Sequence, residues 1–273
     1  MVRDITIGQY FPGNSVLHNA DPRLKLVLSF VAIIFIFVCN NFYSLALVAL
    51  FSVVAVLSSK ISLKIILKGL RPMLILLIFT SALQLFYNKQ GEVLFTSRYL
   101  TITTGGIYTT IFMVIRIICL VLVSSLLTYT TSPTQLTDGI ERLLSPLKVF
   151  GLKNGVHTLA MMMTIALRFI PTLIDEIDKI TSAQKARGAN LETGGIVKRA
   201  KALLPIFIPL LVNSFRHAFE LSLAMSARCY NGGEGRTRMK QLKLQTRDYI
   251  LMFSMLIFVG GVIALNIIFE SVI

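Results

Sequence analysis

Apolar residues fall into five long blocks along this 273-residue chain, separated by polar or charged segments. About 20 apolar residues are needed to cross the hydrocarbon core of a bilayer, so each block predicts a membrane-spanning helix. The first two blocks are divided only by Asn40-Asn41, which predicts a tight turn between two antiparallel helices. The five predicted spans are 24–39, 42–58, 72–87, 105–130 and 248–273. Residues 1–130 are therefore predicted to form a four-span bundle, and residues 248–273 a C-terminal span.

A different pattern occupies residues 131–247. Apolar residues recur at steps of three and four from Val156 onward, while the opposite face is polar, which predicts a long amphipathic helix. If it is continuous to position 187, this helix is about 48 Å long. Ser132 and Pro133 are typical of an N-cap and a first helical residue, so a shorter helix is predicted before it.

A second long helical pattern runs from Ile196 to about Arg228. It contains Pro205 and Pro209, each of which lacks the N–H that a helix interior requires. The two prolines therefore predict either a hinge or a fixed kink. Together, the region 131–247 is expected to be a domain of long helices that lie on the cytoplasmic side of the membrane.

Composition supports a membrane protein and the distribution of charge predicts its orientation. The chain is 55% hydrophobic and only 15% charged, with a mean hydropathy of +0.74. Its net charge of +14 would suggest a nucleic-acid partner in a soluble protein, but cytoplasmic loops of membrane proteins also collect Lys and Arg. Residues 131–247 hold 17 of the 27 cations, and the short link 60–71 holds four. We therefore expect the N-terminus and residues 131–247 in the cytoplasm, the C-terminus outside, and no nucleic-acid partner.

Two further stretches, 159–174 and 203–211, are apolar enough to be considered as spans. If both crossed the membrane, residues 175–202 would face outward with six cations, against the positive-inside rule. We therefore expect both stretches to remain on the cytoplasmic side.

The sequence offers little catalytic chemistry. It has no G-x-x-x-x-G-K-[ST] motif, its three histidines are isolated, and its three cysteines lack metal-ligand spacing. We therefore predict no catalytic, cofactor-binding or metal-binding residue. The first four predicted spans contain no Asp or Glu, which disfavours a proton-driven carrier. Apart from Lys25 at the start of the first span, Arg116 is the one charge inside these spans, and it either binds helix carbonyls or contacts another membrane subunit.

Small residues flank two arginines at the ends of the long helical patterns, in Ala186-Arg187-Gly188 and Ala227-Arg228-Cys229. One interpretation is helix capping, because a cation stabilises a helix C-terminus and Gly188 suits the position after it. The other is docking, because an arginine between small residues can enter an acidic groove and bind a carboxylate through two hydrogen bonds.

The opening GQYFPGNSVLHNADPRLKL and the segments KARGAN and SARCYNGGEG resemble the transmembrane (T) component of energy-coupling factor transporters, prokaryotic importers of vitamins and metals. The similarity covers essentially the whole chain. It implies a multi-pass protein of the prokaryotic cell membrane that joins two ATP-binding cassette subunits to a small substrate-binding membrane subunit. ATP and Mg²⁺ would be bound by the ATPase partners, and this chain would be neither an enzyme nor a cofactor binder.

The resemblance also implies a role for each arginine segment. Ala186, Arg187 and Gly188 would dock on one ATPase, and the second segment, Ala227, Arg228 and Cys229, would dock on the other. Cys229 departs from the family pattern, which has glycine at this position. The alternatives are the pore-forming permease of a conventional ABC importer and, less favoured, a membrane enzyme of lipid metabolism, for which the acidic cluster is missing.

Overall fold

A computed structural model describes residues 10–87, 92–96, 101–144, 153–189, 195–232 and 244–269 of the protein. Within these residues the chain is dominated by helices, which confirms the predicted all-α membrane fold. The helices are α1 Pro22–Val38, α2 Phe42–Ser59, α3 Leu63–Leu70, α4 Leu74–Tyr87, α5 Thr104–Thr130, α6 Pro133–Leu143, α7 Lys153–Ala186, α8 Ile196–Ala227 and α9 Thr246–Ile268. A short antiparallel hairpin, β1 Val93–Thr96 and β2 Thr101–Thr103, lies in the loop between α4 and α5.

The chain divides into two compact units. One unit contains α1 to α5, the hairpin, most of α6, and α9, so the last helix returns to the N-terminal bundle. The other contains the end of α6 together with α7 and α8.

The core of the first unit lies between α1, α2, α5 and α9. Its centre is formed by fully or nearly fully buried apolar side chains from all four helices, among them Ile36, Val48, Cys119 and Val262. Phe51 and Phe258 stack with ring centroids 4.3 Å apart. Dispersion contacts of this kind hold membrane helices together, because lipid is as apolar as the core itself.

The turn at Asn40-Asn41 divides α1 from α2 as the sequence predicted. Asn41 caps α2 in a reciprocal arrangement with Ser44. Its amide nitrogen Nδ2 also donates to the carbonyl oxygens of Leu265 (3.1 Å) and Phe269 (2.7 Å), at the end of α9. One buried asparagine therefore fixes the turn and joins it to the last helix.

A buried polar cluster joins the opposite ends of the same helices. The Asp248 carboxylate accepts a hydrogen bond from the backbone N–H of Asp21 (2.9 Å), and Asp21 caps α1. The buried Lys25 ammonium donates to the carbonyl oxygens of His18 and Thr130, both at 3.0 Å. Because these buried polar groups have partners, the cluster stabilises the ends of α1, α5 and α9 in one arrangement.

The segment before the third predicted span is itself helical. The sequence predicted a link over 60–71 and a span beginning at Pro72, but residues 63–70 form α3 and a 3-10 turn, Arg71–Met73, leads into α4. Pro72 lies in that turn, where its missing N–H needs no partner.

Six stretches of the described helices are long and apolar enough to cross a membrane. They lie in α2, α3–α4, α5, α7, α8 and α9, whereas α1, with 17 residues, is slightly short. Length and composition thus support a multi-pass membrane protein. Two of the six stretches lie in α7 and α8. The placement of these two helices on the cytoplasmic side remains a prediction from charge.

Candidate functional site

The first arginine segment forms the C-terminal cap of α7. The N–H of Gly188 donates to the carbonyl of Lys185, and the N–H of Ala189 donates to the carbonyl of Gln184, both at 3.0 Å. This pair of bonds is a Schellman motif with Arg187 at the cap, and Gly188 has the left-handed φ of 84° that the motif requires. Glycine adopts this conformation without steric cost, so the sequence fixes the end of α7 here.

The second arginine segment repeats the same motif at the end of α8. The N–H of Cys229 donates to the carbonyl of Ser226 (3.0 Å), and that of Tyr230 donates to the carbonyl of Met225 (3.1 Å). Arg228 takes the cap position, and Cys229 adopts the left-handed φ of 54° in the place where α7 has glycine. The departure from glycine noted in the sequence therefore leaves the geometry of the cap intact.

We call the two three-residue segments, 186–188 and 227–229, the arginine tips. All six residues of the tips are exposed. Within the described part of the chain, neither Arg187 nor Arg228 takes part in a salt bridge. Each tip therefore presents a guanidinium with small neighbours at a helix end, a geometry open to an acidic partner.

Helices α7 and α8 pack as an antiparallel pair, linked by polar contacts along their length. The Tyr230 hydroxyl lies 2.9 Å from the Met161 sulfur near the start of α7, and the Gln184 side chain reaches the Pro205 carbonyl near the end of α7. The end of α7 therefore lies beside Pro205, which is 23 residues before Arg228 on α8. At 1.5 Å per residue, the two tips are about 35 Å apart along the pair.

Proline interrupts the hydrogen-bond ladder of α8 at the predicted positions, although α8 continues through them. Since Pro209 has no N–H, the carbonyl of Pro205 lacks its usual helical partner. The Gln184 side chain supplies one, with Nε2 donating to that oxygen at 3.2 Å. A residue within the first cap is thus bonded to the predicted hinge. Pro171, which the sequence analysis did not single out, lies inside α7.

A polar contact also joins the middle of the two helices. The His217 ring nitrogen Nε2 lies 2.8 Å from the Glu176 carboxylate, and Glu220 follows at 3.7 Å from the other ring nitrogen. Along the sequence this histidine is isolated, because Glu176 is 41 positions away. Only the packing of α7 on α8 brings the two together.

A groove of about 570 Å³ lies between α7 and α8 next to this contact. Its walls are mainly apolar and include Met162, Phe169, Leu221 and Met225. Among the residues that the structure describes, no group of three or more His, Cys, Asp or Glu side chains is arranged to hold a metal ion. Glu234, in the glycine-rich stretch after the second tip, lies outside the described residues.

Large apolar side chains cover much of the remaining surface of α8. Phe207, Phe215 and Phe219 are between 56% and 69% exposed. The exposed set is Leu203, Leu204, Phe207, Ile208, Leu211, Val212, Phe215, Phe219 and Leu223. A continuous apolar surface of this size is typical of contact with lipid or with another apolar protein surface.

Arg116 lies in α5, in the compact unit that does not contain the tips. Its guanidinium bonds to the carbonyl oxygen of Cys39, which is the C-cap of α1, and lies 4.6 Å from the ring centre of Phe112. These contacts match the carbonyl-binding alternative, since a cation also stabilises a helix C-terminus. The contact with another membrane subunit remains a prediction.

Comparisons with known proteins show the family to which the chain belongs. The family model described as CbiQ, cobalt transport protein, matches residues 13–239. The chain belongs to this family. Several similar proteins carry the name energy-coupling factor transporter transmembrane protein EcfT. The one from Ruminiclostridium cellulolyticum is 50% identical over 98% of this chain and 100% of its own length. That from Brevibacillus brevis is 51% identical over 92% and 94%, respectively.

The EcfT protein of Bacillus subtilis is more distant, at 40% identity over 94% of this chain and 96% of its own length. The family match covers both arginine tips and all of α1 to α8. The resemblance stated from the opening segment and the two arginine segments is therefore confirmed.

Proposed function

We propose that this chain is the coupling subunit of an energy-coupling factor importer. It holds two ATP-binding subunits and a small substrate-binding membrane subunit, and transmits motion between them. The names of its relatives support the transporter assignment. The observation that carries the coupling role is the pair of matching arginine caps, both exposed, at opposite ends of one antiparallel helix pair.

The chemistry of the tips favours an acidic partner surface. A guanidinium can donate two parallel hydrogen bonds to a carboxylate, and the flanking alanine, glycine and cysteine allow a second backbone to come close. The repetition of one motif about 35 Å apart suits two equivalent sockets, one on each subunit of an ATPase dimer. ATP and Mg²⁺ are held by those partners, and this chain takes no part in the chemistry.

The exposed apolar surface of α8 is the proposed contact for the substrate-binding subunit and the surrounding bilayer. In this arrangement, α7 and α8 lie on the cytoplasmic side, the N-terminus is cytoplasmic and the C-terminus is outside. On a helix pair at the cytoplasmic side, contact of such an apolar surface with water is unfavourable in free energy. The surface is therefore expected to be covered by lipid or by the substrate-binding subunit.

The helix pair can transmit motion between these two contacts. When ATP closes the ATPase dimer, the tips are carried toward each other, and α7 and α8 must change their crossing or bend. Pro205 and Pro209 are the proposed hinge, since α8 lacks two ladder bonds there. The bond from Gln184 to the Pro205 carbonyl then joins the cap of α7, which carries the first tip, to the hinge.

Charge reversal at both tips tests the docking role. The double variant Arg187→Glu and Arg228→Glu should insert normally but lose both ATPases on affinity purification. Reversal leaves a buried acidic socket unpaired, which costs about 3–5 kcal/mol per tip, or at least a hundredfold in affinity.

The matched control changes two exposed arginines on the same helices that lie away from the tips, Arg168→Glu with Arg216→Glu. This control has the same net charge as the tip variant and should retain the ATPases. Normal recovery of ATPases with the tip variant would contradict the proposal.

The alternative function is the permease of a conventional ABC importer, which forms the pore and binds substrate itself. Purification of the intact complex distinguishes the two. A coupling subunit should recover a pair of nucleotide-binding subunits together with a small hydrophobic membrane protein, and substrate should bind to that small protein alone.

A further inference from the structure

The segment between α2 and α4 carries a row of cations. Lys64 and Lys68 are four residues apart on α3 and therefore share one face, and Arg71 follows three residues later in the 3-10 turn. Lys60 precedes α3 and forms the left-handed C-cap of α2. All four residues are exposed, and none forms a salt bridge within the residues that the structure describes. From Lys64 to Arg71 the row is about 10 Å long at helical rise.

A row of exposed leucines lies beside the cations. Leu63 and Leu67 are 60% and 64% exposed and are again four residues apart. The third side of α3 is fixed to the bundle. Ile66 is buried in a cluster with Val56, Leu126 and Tyr129. Because this anchor sets the rotation of α3, the leucines cannot turn inward to be covered.

The contact at Gly69 fixes the helix more closely still. A Cβ atom at this position would lie 2.4 Å from the Tyr129 hydroxyl oxygen, so only glycine allows the close approach. The Tyr129 ring is itself held, since it packs edge-on against the Phe11 ring with the centroids 5.7 Å apart.

The location of α3 requires a negatively charged cover. It follows the apolar helix α2 directly and forms, with α4, the apolar stretch Leu63–Tyr87, of which it is the charged end. Charged side chains are costly inside the hydrocarbon core, so we place this end of the stretch at the headgroup level. There is no Asp or Glu between Asp21 and Glu92 to balance the four cations locally.

We propose that α3 and its flanking residues form a binding surface for anionic phospholipids. Lys60, Lys64, Lys68 and Arg71 hold the lipid phosphates, and the acyl chains lie along Leu63 and Leu67. A phospholipid supplies the negative charge and the apolar chain side by side, which matches the two adjacent rows. Binding fixes the height of α2 and α4 in the membrane and is independent of the arginine tips.

The absence of tryptophan from this chain permits a sharp test. The variant Leu67→Trp places a single fluorescent reporter on the exposed leucine row. The full chain is reconstituted in vesicles that contain either doxyl-labelled phosphatidylglycerol or doxyl-labelled phosphatidylcholine at equal mole fraction. Quenching should be roughly threefold or more stronger with the anionic lipid, because each nearby cation strengthens binding about fivefold.

Removal of charge should abolish that preference. In the Leu67→Trp background, Lys64→Gln with Lys68→Gln should bring the two lipids to nearly equal quenching, as should about 1 M salt. The matched control, Lys179→Gln with Lys201→Gln, removes the same charge from exposed positions on α7 and α8 and should keep the preference.

Three results would overturn the proposal. These are equal quenching by both lipids in the Leu67→Trp chain, a preference that survives the α3 substitutions, and an equal loss in the α3 and control variants. A reporter that emits as in water and is quenched by neither lipid would instead assign this surface to a soluble protein partner. The ATPase-docking experiment is unaffected by any of these outcomes.

Discussion

The bundle formed by α1, α2, α5 and α9 buries many apolar and polar side chains, whereas the α7–α8 pair buries few of those described. In the bundle, Asn41 joins one set of helix ends, and Lys25 and Asp248 join the other. In the pair, of the described side chains on α7 and α8, only Ala160 and Ile206 are buried apolar residues. The bundle is therefore stabilised by its own contacts, whereas the helix pair presents surfaces that need partners. This difference separates the self-contained part of the molecule from the part to which we assign the docking role.

The largest effect should come from a single charge in the bundle. Asp248→Ala leaves the N–H groups of Asp21 and Gln245 without their acceptor and removes a negative charge that favours the buried Lys25 ammonium. Loss of one partner in a buried polar cluster costs about 3–5 kcal/mol, which corresponds to a melting temperature about 6–20 °C lower. Thermal unfolding in detergent measures it.

The control for this variant is Asp175→Ala, which removes an exposed carboxylate from α7. Exposed substitutions usually change stability by less than about 0.5 kcal/mol. If both variants melted at the same temperature, the contrast between a self-contained bundle and an open helix pair would be wrong.

Conservative changes at the tips should weaken docking without affecting folding. Arg187→Lys and Arg228→Lys keep the charge but lose the planar two-point geometry, so each should lower ATPase affinity about tenfold. Titration of purified ATPases onto each variant gives the two affinities separately. Wild-type affinity in both variants would show that charge alone, and not the guanidinium fork, makes the contact.

The bond between the first tip and the hinge should have a smaller effect. Gln184→Ala removes the donor to the Pro205 carbonyl and costs about 1 kcal/mol. We expect slower ATP-driven uptake in proteoliposomes, with ATPase recovery unchanged. Ser182→Ala is the comparison, because among the described residues its hydroxyl bonds to the Asp178 carbonyl of the same helix. If the Gln184→Ala and Ser182→Ala variants showed equal uptake, Gln184 would have no role in transmitting motion.

The smallest effects distinguish the two caps from each other. Cys229→Gly should stabilise the second cap by about 0.5–1 kcal/mol, because cysteine is strained at its left-handed φ. Gly188→Ala should weaken the first cap by a similar amount. Hydrogen exchange at the N–H groups of Tyr230 and Ala189 reports each cap, slower in the first variant and faster in the second. Faster exchange at Tyr230 in Cys229→Gly, or slower exchange at Ala189 in Gly188→Ala, would show that the caps do not share one geometry.

Local patterns predicted the helices well, because each depends on residues that are close in the sequence. The Asn40-Asn41 turn, the start of α6 at Pro133 and the left-handed Gly188 were all predicted in this way. The α3 helix was not predicted, because the four cations of residues 60–71 were used only to predict orientation.

Contacts between distant residues could not be predicted from the pattern. The Gln184–Pro205 bond, the His217–Glu176 pair and the bond from Arg116 to the Cys39 carbonyl join residues 21, 41 and 77 positions apart. Each depends on how two helices pack, and helix periodicity does not determine which faces meet. The roles of the tips in turn came from the resemblance, since capping alone explains an arginine at a helix end equally well.

The cytosolic exposure of the second tip tests the central claim most directly. Cys229 is exposed, whereas Cys39 and Cys119 are buried, so the chain carries a natural reporter beside Arg228. A membrane-impermeant maleimide should label the chain in inverted vesicles and not in intact cells. The Cys229→Ala variant should not be labelled, and added ATPases should protect the wild-type thiol. Labelling of intact cells, or labelling that bound ATPases leave unchanged, would contradict the account.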